Sequence, residues 1–484
     1  MVGFAQIDSV SALTLFDSFE VPRTEKVEYI IQTSTASPMM FSTEPDAIII
    51  RPIDLNTGLP IRVLTLRSNA TKKIKQHTLR GDSLFCLVRS SENNQSATYE
   101  SVVYSLRKDA LVEAYRKEIG FEEQEGKRNI QPIFFTASAK GKYALVCRQQ
   151  PFKSEQKAAL DIEITAHPVG KAQRFTLPLP FESDDIELLG VSIDDRGIIS
   201  IGAKAGVKLN SPFLRKYLVY SFNPLTKELH EFDLSVDKIF MQDMLLKPGI
   251  DNLQIVSLYS TDPFKQAESM GYTYVQVDSS GSDISEKMVH RFSPEITAQI
   301  NGDETRELDA IDGLFLDYLY TINGHTIAVL DRRYQDQVCT TDPRTGIMTC
   351  TDQFHFDGIL VENLTEPTRS AVIERRQTDY NLAGPYMGLQ AYNLGDRILV
   401  LYNDHNKNQT TNGERIMNNP SRSALRYVTV TEKGVSRTNL LSSSRLNSFL
   451  FMASMEGYIH QSEVVLLFSN GKEYKIGKLD GSQL

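Results

Sequence analysis

Three oxygen-bearing side chains at alternating positions have the spacing of the first calcium ligands in an EF-hand loop. They are Asp404, Asn406 and Asn408 in the segment DHNKN. Such a loop needs Gly at its sixth position and a bidentate Glu at its twelfth. Those positions hold Gln409 and Arg415, so an EF-hand is excluded and no metal site is expected. The sequence favours an Asx-type turn in which Asp404 holds the strand exit, with a looser calcium site as the alternative.

Three polar loops each contain a Pro-Phe pair followed within two residues by a cation. The aromatic residues and cations are Phe152 with Lys153, Phe213 with Arg215, and Phe264 with Lys265. Exposed aromatic side chains beside cations would suit a protein or glycan partner. The alternative is that each Phe packs beneath its own loop, since buried apolar side chains are the rule. Together with the Asp404 segment, these loops form the predicted binding face.

The four cysteines divide into one pair that can form a disulfide and two that are expected to stay reduced. Cys339 and Cys350 flank the turn sequence DPRTG, so a hairpin would place them on paired strands. Cys86 and Cys147 lie inside apolar strand sequences, where thiols act as small hydrophobic side chains. A disulfide at the turn favours an oxidising compartment.

Sequence motifs for the common catalytic chemistries are absent. The chain contains no GxSxG, HExxH, GxGxxG or P-loop motif, and its eight histidines are scattered. The carboxylate pairs Asp184-Asp185 and Asp194-Asp195 could serve a glycosidase only if carboxylates met across a pocket. Their surrounding sequences favour solvated turns instead. We therefore predict a protein without catalytic residues and without a cofactor.

The composition limits the partners that this chain could bind. Hydrophobic residues at 41% and charged residues at 23% are typical of a globular protein with a large core. The net charge of −9 disfavours nucleic acid, whose phosphates need a basic surface. No apolar segment approaches the roughly 18 residues that span a bilayer, so the sequence predicts no membrane-spanning segment.

Short strand-like segments separated by turn residues predict an all-β fold. Segments such as SLFCLVRS, KYLVYSF and RILVLY are rich in β-branched and aromatic residues. Comparable segments begin near residues 83, 142, 197, 252, 325, 397 and 463. Recurring units of a few antiparallel strands are typical of a β-propeller, and a two-domain array of β-sandwiches is the alternative.

This spacing predicts a propeller of seven blades over residues 26–484, with six or eight blades as alternatives. The final strands VVLLFS and EYKIGK are expected to share a blade with the N-terminal strand VEYIIQT, which would close the ring. Residues 1–25 are predicted to be a leader or extension, because VGFAQ is similar to the end of an export signal. Residues 109–125 fit either a short helix or a strand with a charged loop. The longest loops fall between the second and third strands of successive blades, on one face.

Sequences near the C-terminus carry a resemblance to a group of bacterial proteins. The segment IERRQTDYN, followed by YNLGDRILVLYNDHNKN and the later SNGKEYKIGKL, resembles the C-terminal half of uncharacterised exported proteins common in Bacteroidota. The resemblance implies a β-propeller-like fold and a location in the periplasm or at the cell surface. It implies no catalytic residues.

These observations together predict a non-enzymatic, exported propeller. We expect it to bind protein partners through its long-loop face, as a scaffold subunit of a cell-envelope assembly. An assembly of the outer membrane is one such partner. A carbohydrate-active propeller, which would bind or hydrolyse glycans, is the alternative.

Overall fold

The computed structural model describes most of the chain, with short gaps. The described residues are 12–32, 38–69, 71–80, 82–93, 96–107, 110–124, 133–150, 156–167, 171–208, 212–249, 252–265, 267–278, 280–302, 309–341, 343–379, 384–408, 415–417, 419, 422–436, 438–443, 449–460 and 462–484. Within them, eight antiparallel sheets each have strands at four successive positions.

The first described strand, β1 (Leu13–Glu20), belongs to the last sheet, and the next sixteen described strands form four sheets in chain order. Sheet 1 contains β2 (Lys26–Gln32), β3 (Pro38–Glu44), β4 (Ala47–Pro52) and β5 (Leu64–Arg67). Sheet 2 contains β6 (Lys72–Arg80), β7 (Ser83–Asn93), β8 (Ser96–Arg107) and β9 (Ala110–Gln124). Sheet 3 contains β10 (Ile133–Ala137), β11 (Tyr143–Gln149), β12 (Lys157–Ala166) and β13 (Lys171–Glu182). Sheet 4 contains β14 (Ile186–Ile193), β15 (Ile199–Ala205), β16 (Lys216–Asn223) and β17 (Glu228–Asp233).

The second half of the chain forms four further sheets and one short helix. Sheet 5 contains β18 (Phe240–Met241), β19 (Leu245–Pro248), β20 (Asn252–Ser260), β22 (Gly271–Asp278) and β23 (Ile284–Arg291), while β21 (Glu268–Ser269) pairs with β24 (Ile311–Asp312). The helix is α1 (Pro294–Asn301). Sheet 6 contains β25 (Leu314–Ile322), β26 (His325–Thr341), β27 (Met348–Asn363) and β28 (Ala371–Asp379). Sheet 7 contains β29 (Leu389–Asn393), β30 (Ile398–His405), β31 (Ser423–Thr431), β32 (Gly434–Val435) and β33 (Asn439–Ser443), and sheet 8 contains β34 (Leu450–Phe451), β35 (Tyr458–His460), β36 (Glu463–Ser469) and β37 (Glu473–Asp480).

The last sheet combines strands from both ends of the chain. In it, β1 pairs with β37, and Leu13 lies opposite Leu479. The segment VEYIIQT was expected at this position, but it contains β2, which pairs with β3 in sheet 1. The segment 1–25, expected to be a leader or extension, therefore contributes Leu13–Glu20 to a sheet.

The described residues form eight four-position sheets, whereas the spacing favoured seven units and gave eight as an alternative. The seven segments counted from the sequence are the second strands of sheets 2 to 8. Sheet 1 is the additional unit, and its first strand β2 contains the segment VEYIIQT that was expected in the closing sheet. Residues 110–124 are the strand β9, not a helix.

Apolar side chains join each sheet to the next. In β36, Val464, Leu466 and Phe468 pack in a cluster with sheet 7, whereas Val465 and Leu467 pack in a cluster with sheet 1. Side chains of a strand alternate between its two faces, so a strand buried on both faces has a continuous apolar sequence. This explains why second and third strands such as VVLLFS were recognised easily. It also shows that sheet 8 packs against both of its neighbours.

One hairpin extends beyond its sheet and is called the arm here (residues 335–353). The strands β26 and β27 pair along this whole length, but the neighbouring strands β25 and β28 pair with them only outside the arm. Cys339 lies opposite Cys350, and the two residues form a disulfide with 4.0 Å between their Cα atoms. Almost every described arm residue is exposed, so the disulfide replaces the missing support of a core.

Mass spectrometry can test which of the four cysteines are free thiols. Intact-mass alkylation of natively isolated protein, denatured without reductant, is expected to label two thiols, those of the buried Cys86 and Cys147. In the chain-entropy model, a disulfide that closes so short a loop stabilises the folded state by about 3 kcal/mol, and this stabilisation is confined to the arm. Reduction should therefore speed proteolysis of the arm and leave unfolding of the sheets unchanged. Labelling of four thiols would contradict the prediction.

Candidate functional site

The connections between second and third strands emerge at one edge of sheets 4 to 7, and this edge is called the loop face. Because antiparallel strands alternate in direction, the connection from a fourth strand to the next sheet emerges there as well. The loop face therefore collects the loops after β15, β20 and β30, the arm, and the segment between β17 and β18. Two of the predicted Pro-Phe loops belong to it.

The aromatic side chains of those two loops point into solvent. Phe213 is 61% exposed and Phe264 is 86% exposed, so neither packs beneath its own loop. Lys265 forms an ion pair with Glu268 at 3.0 Å, which turns its ammonium group back toward its own loop. Phe152 and Lys153 lie outside the described residues. The exposed arrangement considered in the sequence analysis is thus the one found for Phe213 and Phe264.

Exposed apolar side chains occur on the loop face of four successive sheets. They are Phe213 and Leu214 in sheet 4, Phe264 in sheet 5, Val338, Ile347 and Met348 on the arm of sheet 6, and Ile416 in sheet 7. Single exposed apolar residues are common on protein surfaces, but their repetition along one face is a feature of interaction surfaces.

A small cavity of about 140 Å³ opens beside Phe213. Its walls come from the loop before β16 and the segment between β17 and β18, which lie together as the strand directions require. Phe213 and Phe240 meet edge to face with ring centroids 5.4 Å apart, and Arg215 and Lys238 line the same cavity. The predicted pair Phe213 and Arg215 therefore belongs to one concave site.

Asp404 and Asn408, predicted on the binding face, are buried. The strand β30 continues through His405, so Asp404 lies inside the strand and not in the loop after it. Its Oδ1 accepts hydrogen bonds from the His405 backbone N–H at 2.7 Å and from Asn408 Nδ2 at 2.5 Å. Its Oδ2 lies 3.2 Å from Arg426 Nε. These partners leave the Asp404 carboxylate unavailable to a ligand, and Asn406 is only partly exposed.

Buried ion pairs in sheet 6 and in sheet 7 lie close enough for the charge of Arg375 to act on Asp404. Asp331 accepts a hydrogen bond from Arg375 Nη2, and both side chains are fully buried. Asp331 Oδ2 also lies 3.1 Å from Arg333 Nε. Burial raises the pKa of Asp404, and the charges of Arg426 and Arg375 oppose that rise. These ion pairs resemble a structural network and not an open site.

The adjacent carboxylates suggested as a glycosidase pair are held in turns. Asp194 Oδ1 accepts hydrogen bonds from the backbone N–H groups of Arg196 and Ile198, both at 2.9 Å. Asp185 Oδ1 accepts one from the backbone of Lys208 at 2.9 Å. The interpretation of these residues as turn residues agrees with their contacts.

Sequence reasoning overlooked a carboxylate where first strands of several sheets meet. The carbonyl of Glu456, just before β35, accepts a hydrogen bond from the Ile30 backbone N–H in β2 at 2.8 Å. Glu456 is exposed as a whole residue, but burial of its carboxyl group raises the carboxyl pKa. After burial, its charge helps to raise the pKa of several tyrosines on first strands, namely Tyr29, Tyr318, Tyr320 and Tyr392. No motif around Glu456 signals this convergence.

Within the described residues, no three His, Cys, Asp or Glu side chains are grouped closely enough to hold a metal ion. The described helices include none that is long and apolar enough to cross a bilayer.

Comparison with known proteins relates the chain to solved structures alone. No family model and no curated protein matches it. It is similar to the β-propeller domain of the Trilobed protease from Pyrococcus furiosus (10% identity, TM-score 0.38, 85% of this chain and 94% of that one). It is also similar to the WD40 domain of SCAP from fission yeast (11% identity, TM-score 0.40, 97% and 99%) and to an α-L-arabinofuranosidase of Fusarium graminearum (9% identity, TM-score 0.32, 86% and 98%). The fold itself confirms the predicted class: with eight antiparallel sheets of four strand positions in the described residues, the chain has an all-β, β-propeller fold.

Proposed function

We propose that this chain is a non-enzymatic, exported propeller that binds a protein partner through its loop face, as a scaffold subunit of a cell-envelope assembly. The observation that carries the proposal is the exposure of large apolar side chains on the loop face of four successive sheets. Its location in the periplasm or at the cell surface is supported by the arm disulfide, since disulfides persist in oxidising compartments.

The physical reason is the cost of leaving such side chains in water. Each exposed Phe or Leu forgoes about 1.5 to 3 kcal/mol of burial that a partner could supply. The arm adds two exposed strand edges, to which another chain can pair, and apolar residues near its turn. A surface with aromatic anchors and pairing edges fits a protein better than it fits a small solute.

The double variant Phe213→Ser/Phe264→Ser is expected to lose its partner. The variant lacks two aromatic anchors that each contribute more than about 1 kcal/mol to binding. Recovery of the partner should therefore fall by at least about tenfold. The measurement is quantitative mass spectrometry of cross-linked complexes isolated from native membranes, compared with a tag-only preparation.

The matched control is Leu225→Ser. Leu225 is also an exposed apolar residue, but it lies in the turn between β16 and β17, at the opposite edge of sheet 4. It should leave recovery unchanged. Isolation of the unchanged protein as a free monomer alone, or equal losses from both substitutions, would overturn the proposal.

Glycan binding is a second candidate, favoured by the environment of Glu456. Tyr318 and Tyr320 stack with centroids 6.0 Å apart near this carboxylate, and Lys247 Nζ lies 5.1 Å from the Tyr320 centroid. Aromatic faces beside a carboxylate suit a sugar. A glycan array would show a signal that Glu456→Gln removes and Phe213→Ser leaves intact, and an array without signal would eliminate this candidate.

A further inference from the structure

We propose that the cavity beside Phe213 is a specificity pocket for an aromatic side chain of the partner that carries or adjoins a carboxylate. This inference rests on the proposed function and names the chemistry that the loop face recognises. It follows from the size of the cavity, from its lining residues and from two cationic side chains that have no partner among the described residues.

The size and walls of the cavity suit one ring. Its volume of about 140 Å³ is close to the roughly 150 Å³ of a cavity that accommodates benzene. Phe240 is buried and forms one wall, whereas Phe213 is exposed and forms the rim. Because these two rings already meet edge to face, a third ring can pack against Phe213 in the same geometry.

Two cations at the cavity have no partner among the described residues. Arg215 Nε is buried without a hydrogen bond, and no carboxylate lies within 4.0 Å of either Arg215 or Lys238 in the described part of the chain. The third charged residue in the lining is the exposed Asp237, so the cavity carries two positive charges and one negative charge. An unpaired guanidinium N–H beside an apolar wall is suited to a carboxylate, with which it forms a charge-assisted hydrogen bond.

The backbone at Lys238 supports a recognition role. Its φ of 58° lies in the left-handed region, which lysine rarely adopts and glycine adopts easily. A non-glycine residue in such a conformation costs about 1 kcal/mol or more, and such residues cluster at binding sites. Lys227, with φ of 63°, has the same conformation in the turn between β16 and β17, so it provides a matched comparison.

The test uses phenylacetate, with the uncharged phenylacetamide as its isosteric counterpart, and measures binding by ligand-observed NMR. Phenylacetate is expected to bind and phenylacetamide to bind at least about tenfold more weakly, because the amide cannot accept the charge-assisted bond. Arg215→Gln should weaken the binding of phenylacetate by a similar factor. Lys238→Gly should weaken it about two- to fivefold, as expected for an exposed cation, and it relieves backbone strain, so folding is preserved.

Lys227→Gly is the control, since it removes one positive charge from the same sheet at a strained lysine away from the cavity. It should leave binding unchanged. Equal affinity for the two probes, no binding of phenylacetate, or equal effects of Lys227→Gly and Lys238→Gly would overturn the inference. Partner loss caused by Phe213→Ser/Phe264→Ser without phenylacetate binding would refute the pocket chemistry alone. Phenylacetate binding without any partner would refute the proposed function alone.

Discussion

Replacing Arg375 with methionine is expected to lower the free energy of unfolding by about 3 to 5 kcal/mol. The guanidinium group of Arg375 is fully buried and donates to the equally buried Asp331. Its charge also opposes the rise that burial causes in the pKa of Asp404 and of Asp317, which reaches about 6. Methionine can fill much of the volume, but it leaves the buried Asp331 with Arg333 as its one remaining counter-charge among the described residues. Urea unfolding at pH 7 is the measurement.

Two further variants separate the loss of charge from the loss of packing. Arg369→Met removes an exposed arginine that pairs with Glu366 at 2.8 Å, and it should cost less than about 1 kcal/mol. Adding Asp331→Asn to Arg375→Met should recover part of the loss, because it removes a buried charge that has lost one of its two arginine partners. A cost for Arg375→Met as small as that for Arg369→Met would contradict a stabilising role for the buried Arg375–Asp331 pair.

Replacing Glu362 with glutamine is expected to stabilise the protein at pH 8. Glu362 is 1% exposed, and Ser370 donates a hydrogen bond to its Oε2 at 2.6 Å, whereas Oε1 has no partner. Burial raises the pKa of this carboxyl to about 7. The folded protein therefore keeps a proton that the unfolded chain loses near pH 4.5, so this group favours folding at low pH, and the benefit is lost as pH rises to about 7.

The difference in the free energy of unfolding between Glu362→Gln and the unchanged protein should thus depend on pH. It should be close to zero at pH 5, where Glu362 is neutral in the folded state, and reach about 2 to 3 kcal/mol in favour of the variant at pH 8. Glu366→Gln is the control, at a partly exposed carboxylate paired with Arg369, and it should give no gain in the free energy of unfolding between pH 5 and pH 8. A difference that stays constant between pH 5 and pH 8 would contradict a neutral buried Glu362.

The strands were predictable because each second and third strand is buried on both faces. Sequences such as SLFCLVRS have no polar alternation and no helical period, so their type is clear from the residues alone. The pairing of β1 was not predictable, because LTLFDSFE contains polar residues and its partner lies at the far end of the chain. The helix α1 was also missed, although Ser293 precedes Pro294 as a side-chain cap, since its eight residues are too few to show a period.

Some residues of the candidate site could likewise be placed from the sequence, and others could not. Phe213 and Phe264 could be placed on an exposed loop because a preceding proline ends regular pairing nearby. Asp404 could not be placed, since its partner Arg426 comes from the next strand and only tertiary structure brings the two charges together. Lys238 carried no sequence signal, because its conformation and its closeness to Arg215 depend on how two loops of sheet 4 meet.

The pairing of β1 with β37 sets an order of events during synthesis on the ribosome. β1 is translated before all other described strands, whereas its partner β37 is translated after them. Sheets 1 to 7 can form as they emerge, whereas sheet 8 must wait, with Leu13 and Leu15 of β1 still unpaired. The nascent chain therefore exposes the unpaired apolar side chains of β1 until β37 has been translated, and a chaperone that shields β1 should raise the yield more than one that acts on sheets 3 to 5.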